Sequence, residues 1–95
     1  MSHMPTTDGP SSPVQRFLFT VTGSENGLST FNVALPATRS STSYTVHIED
    51  GGTVSGNHRE YWAPIAGFTT TQIQVKAGAP VATGDKLLIT VEDLT

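Results

Sequence analysis

The chain has 95 residues, no cysteine and a net charge of −3. That length makes one small domain, and the missing cysteines exclude disulfides and thiolate metal sites. Five Lys/Arg, spread singly, leave no basic footprint for nucleic acid, and no apolar run approaches the roughly 20 residues of a membrane helix. Neither nucleic acid nor membrane is an expected partner. Thr is the commonest residue, and only 14% of residues are charged. Such a surface suits strands, and suits contact with other subunits better than life alone in solution.

Residues 1–16 read MSHMPTTDGPSSPVQR. Met1, Met4 and Val14 are the only apolar anchors in that stretch. A segment so poor in apolar surface does not order itself. Pro5, Pro10 and Pro13 stiffen it in extended form, which lowers the ordering cost when it lies along another protein. Met4, Pro5, Pro10, Pro13 and Val14 are therefore the candidate residues of an N-terminal arm that binds a partner. The folded domain is expected at 17–95, with no hydrophobic segment of signal-peptide type before it. Ser2-His3-Met4 also matches the remnant that an affinity tag leaves.

From residue 17 onward, period-2 alternation dominates and no window supports an amphipathic helix. Phe17, Phe19 and Val21 alternate with Leu18, Thr20 and Thr22. The same alternation sets Phe31, Val33 and Leu35 on one face, then Tyr44, Val46 and Ile48. Ile73, Val75 and Ala77 follow, then Leu87, Ile89 and Val91. A sixth strand is expected over Arg59–Trp62. Pro36, Pro64 and Pro80 fall between these segments, where a missing N–H harms no ladder. Six short strands separated by turns predict an all-β fold, a compact antiparallel β-sandwich.

The turns predict pairing. A three-residue loop at Glu25-Asn26-Gly27 sets Phe17, Phe19 and Val21 opposite Leu35, Val33 and Phe31, all on one face, with Gly27 left-handed. Asp50-Gly51-Gly52 allows the same device, with Ile48 opposite Val54 and Gly52 left-handed. The polar stretch 53–58 and the connection 78–85 are expected at the ends of the sandwich, where partners are met.

Few residue sets carry chemistry. His47, Glu49, His58 and Glu60 have the right types for a metal site, but zinc or iron needs three or four converging ligands. They also fit the solvated face of one hairpin, and neither metal nor cofactor is predicted. No serine sits in a nucleophile elbow, the glycine-rich runs match no phosphate-binding fingerprint, and neighbouring carboxylates on a strand point to opposite faces. No catalytic residue is predicted. Arg59, Tyr61 and Trp62, next to His58, form the single aromatic and polar cluster. It fits a sugar site, a core plug or a subunit interface.

Leu35-Pro36, Tyr44-Thr45-Val46, Gly67-Phe68 and Ile73-Gln74-Val75 follow a cadence across residues 29–91. It resembles the small sandwich domains of tailed-bacteriophage virions. These include capsid decoration (cement) proteins and the lectin-like modules of tail fibres; the H-type lectin domain has a similar Gly-Phe before its penultimate strand. The resemblance implies a non-enzymatic virion protein on the outer capsid surface, commonly a symmetric oligomer such as a trimer. Its partner would be the major capsid protein or another virion protein. The alternatives it leaves open are a carbohydrate-binding module using Arg59, Tyr61 and Trp62, and a tail or neck adaptor.

Overall fold

The computed structural model describes residues 13–94. In chain order it contains β1 (Val14–Thr20), β2 (Thr30–Ala34), β3 (Tyr44–Gly52), β4 (Tyr61–Trp62), a single 3-10 turn (Ile65–Gly67), β5 (Gln72–Ala77) and β6 (Lys86–Asp93). The strands form two antiparallel three-stranded sheets, with orders β1-β6-β3 and β2-β5-β4. The all-β sandwich read from the alternation is the fold observed.

Each sheet has its most apolar strand in the middle. In β6, Leu87, Ile89 and Val91 are fully buried; in β5, Ile73 and Val75 are. A central strand loses water from one face and both edges, so β-branched and aliphatic residues gain most there. Across the first sheet, Phe17, Ile89 and Ile48 lie in one cross-strand row. In the second, Phe31 opposes Val75 and Val33 opposes Ile73. These inward rows join Tyr44, Tyr61 and Val81 in one core cluster.

The predicted hairpin between β1 and β2 does not form. β1 pairs with β6, so Phe17 opposes Ile89 and Phe19 opposes Leu87; β2 pairs with β5. The turn itself is present. Gly27 has φ +84°, and Leu28 N–H donates to the Glu25 carbonyl at 2.9 Å. Instead of closing a hairpin, it docks on the β5–β6 connection, where Gly27 N–H donates to Val81 O and Val81 N–H to Leu28 O. Local turn chemistry set the dihedral angle, but the partner strand is chosen by burial far along the chain. The second predicted hairpin fails likewise: Ile48 opposes Ile89 rather than Val54. Gly52 does have positive φ, and its N–H donates to Asp50 Oδ1 at 2.8 Å, beside a bulge that ends β3.

The first strand starts earlier than predicted. Val14, Gln15 and Arg16, read as the end of the arm, are the first residues of β1 and oppose Glu92, Val91 and Thr90. Gln15 takes an inward place in that strand and is fully buried, and among the described residues neither amide atom has a hydrogen-bond partner. The cross-strand rows of β6 draw these residues in, a long-range effect that composition does not reveal.

Two stability changes follow. Gly27→Ala meets no steric neighbour but places a Cβ at positive φ, so it is expected to cost about 1 kcal/mol. Gly23→Ala, equally uncrowded and without positive φ, is expected to cost nothing. Gln15→Leu is expected to stabilise by about 1–2 kcal/mol, because an unpaired buried amide is lost. Urea denaturation midpoints measure all three.

Candidate functional site

The predicted cluster of Arg59, Tyr61 and Trp62 is divided by the strand that carries it. Successive residues of a strand face opposite sides. Tyr61 points into the core and is buried, whereas Trp62 points outward and is 49% exposed. Arg59 goes with Tyr61, and its guanidinium Nη1 donates to Asp85 Oδ2. The three residues therefore belong to two sites.

The inward site is a buried ion pair. Asp85 is fully buried. Its Oδ1 accepts the Val54 N–H at 2.8 Å, and its Oδ2 accepts the Ala82 N–H at 3.0 Å as well as Arg59. Burial alone would raise the Asp85 carboxyl. The two backbone N–H groups and the Arg59 guanidinium outweigh it and hold the carboxyl below its ordinary value. Burial pushes the Tyr61 phenol up, against the neighbouring Arg59 charge. Both expected end connections, 53–58 and 78–85, meet on this one carboxylate. Sequence reading missed Asp85, which sits in a polar, loop-like stretch with no motif. It also missed a second pair at the other end, where Arg39 holds Asp93 through Nε (3.3 Å) and Nη2 (2.8 Å). There Tyr44 stacks on Phe68 at 4.6 Å between ring centres and donates its hydroxyl to Thr69 O.

The outward site is one face of the second sheet. Trp62 lies opposite Lys76, and Lys76 opposite Thr30; next to that row, Asn32 lies opposite Gln74, and Ala34 opposite Gln72. The 3-10 turn lies against this face, since a Cβ on Gly67 would come within 2.7 Å of Gln74 Cβ. That turn presents Ile65, 80% exposed. The face thus joins two large exposed apolar side chains to uncharged amides and one cation. The outward residues of β2, β4 and β5 include no carboxylate; Glu60, just before β4, borders the face.

His47, Glu49, Asp50, His58 and Glu60 surround an open depression of about 420 Å³ between β3 and the segment before β4. His58 Nε2 lies 2.7 Å from Glu60 and its Nδ1 3.5 Å from Asp50, while His47 lies 3.7 Å from Glu49. Each imidazole is engaged with its own carboxylates. Among the described residues, no three such side chains converge to hold a metal ion.

Of the arm residues, Met4, Pro5 and Pro10 lie outside the described residues. Pro13 accepts the Asp93 N–H at 2.7 Å, and Val14 opens β1. Both lie against the domain's own last strand.

No family model, no curated protein and no solved structure matches this chain.

The ion pair predicts a pH-dependent stability. Asp85→Asn leaves a largely buried Arg59 without its countercharge and is expected to cost about 3–5 kcal/mol at pH 7. The folded carboxyl titrates below its ordinary value of 3.8. Its contribution is therefore fully present above that value and is lost as pH falls through the lower folded value. Denaturation at pH 7 and at steps below pH 4 should show the gap between wild type and variant closing only in the acid range.

Proposed function

We propose that the chain is a non-enzymatic structural protein built into a larger protein assembly, of the type that decorates the outer capsid surface of a tailed bacteriophage. The observation that supports this reading is the outward face of the second sheet. An exposed Trp and an exposed Ile, set among neutral amides, make an interface core with a polar surround. Monomeric soluble proteins keep such anchors covered or dispersed. The small, charge-poor sandwich fits a protein that spends its life against other subunits. Many copies on a shell then add up, because each junction holds by several weak contacts at once. In this reading the partners are the major capsid protein or another virion protein, and further copies of the chain.

A carbohydrate-binding role is the second reading, favoured by one observation: Trp62 shares its sheet face with Asn32 and Gln74, a flat ring on the same face as amides that can bond hydroxyls. Arg59 and Tyr61, turned inward, do not contribute to it.

The test is co-sedimentation with tailed-phage shells that lack their decoration proteins. The chain is expected to pellet with the shells, and Trp62→Ala to weaken binding by about 30-fold, the scale of one interface hot spot. No binding to shells, together with Trp62-dependent binding on a glycan array, would replace this reading with the carbohydrate one.

A further inference from the structure

The sheet face around Trp62 has a charge pattern that matches itself. Lys76 stands directly opposite Trp62 across the β4–β5 ladder and has no ion-pair partner among the described residues. Glu60 lies two positions before Trp62. Gly78 N–H donates to Glu60 O at 2.9 Å, which continues that ladder by one rung. A Cβ on Gly78 would point toward Glu60 Cβ, 3.9 Å away, so Glu60 leaves the backbone on the same side as Lys76. Its side chain is 78% exposed, and among the described residues its ionic neighbour is His58. A cation across the ladder and an anion two positions along the strand thus adjoin one exposed Trp.

We propose that this face is closed by a second copy of the chain in a two-fold contact centred on Trp62, with Lys76 of each copy against Glu60 of the other. The inference rests on reading the face as one that protein covers: it puts a second copy there, so Trp62 acts on shell binding through the paired, bivalent state rather than by touching the shell. In a two-fold contact one patch meets itself, and residue i meets j while j meets i. A patch of one sign would repel its own copy. Here the two-fold axis brings Lys76 to Glu60 twice, with the two indoles meeting on the axis. Ile65, on the adjoining turn, extends the apolar centre. β4 lies at the edge of its sheet, so Trp62 is at the margin of the face, where a second copy can reach it. Rim charge pairs of this kind set register, and the apolar centre supplies most of the affinity.

The chain carries a single Trp, so its emission reports on this face alone. For the full chain, light scattering after gel filtration is expected to give two copies, and the Trp62 emission to shift to the red on dilution as the dimer parts. Ile65→Ser and Lys76→Glu should each weaken association at least about tenfold, and Glu60→Lys should do the same. The double variant Lys76→Glu/Glu60→Lys should restore it, because the pairs are reformed with signs exchanged. These side chains are outward-facing, and unchanged far-UV circular dichroism confirms that each variant is folded. Overturning results are a monomer with dilution-independent emission, a three-copy assembly, or a double variant no better than either single one. A monomer that still pellets with phage shells overturns the self-contact and leaves the shell reading standing. A dimer that ignores shells supports the self-contact and removes that reading.

Discussion

Four segments of the chain meet on one buried residue, three of them at its carboxylate. Asp85 is the first residue before β6, and it is fully buried. Its side chain holds the loop after β3 through Val54, its own turn through Ala82, and the approach to β4 through Arg59. Its backbone carbonyl accepts the N–H of Val21, where β1 ends. A buried carboxylate is tolerated only when its lone pairs are filled, so those segments must arrive together. The requirement acts as a register lock on one end of the sandwich. It also explains why an Arg stands beside a strand of only two residues: the ion pair, more than the ladder, holds β4 in place.

The lock accounts for the separation of functions along β4. Arg59 and Tyr61 are committed inward, to Asp85 and the core. Trp62 has the opposite side of the strand to itself. A strand without that inward anchor would have no reason to present an indole outward on a rigid backbone, and rigid aromatic anchors lose little freedom on binding. The depression between β3 and the β4 approach is shaped by the same segment. His58 is clasped between Asp50 and Glu60, and Asp50 Oδ2 also takes the Arg59 N–H at 3.1 Å.

Much of the secondary structure was legible in the sequence, because a half-buried strand writes its period into side-chain polarity. The inward sets of β2, β5 and β6 are those the alternation marks. Gly27 and Gly52 were legible too, since positive φ is a local demand that few other residues meet. Topology was not. Four of the five connections cross from one sheet to the other, and a turn that fits a hairpin also fits a crossing. Val14–Arg16 carry no pattern of their own and are strand only because β6 pairs with them. The Arg59–Trp62 cluster was legible in composition and misread in space. Alternation already implied that adjacent Tyr and Trp on a strand cannot share a site. Asp85 had no signal at all, being one acid in a flexible-looking stretch whose partners lie 26 and 31 positions away.

The order in which the chain supplies its strands has a consequence for its synthesis. The middle of the first sheet is β6, which follows the other five strands, and β1 and β3 both pair with it and not with each other. While the last strand is still within the ribosome, β1 and β3 have no partner in their own sheet, and both present unpaired edges. The second sheet, β2-β5-β4, needs nothing after residue 77 for its ladders, so its strands are complete in the chain before β6 is. The molecule therefore gains its first sheet in one late step, dominated by contacts distant in sequence, which is slow by nature. Until then the two waiting strands are open to pairing with other chains. A crowded cell making many copies at once would meet this protein first as a half-finished sandwich with one sheet formed.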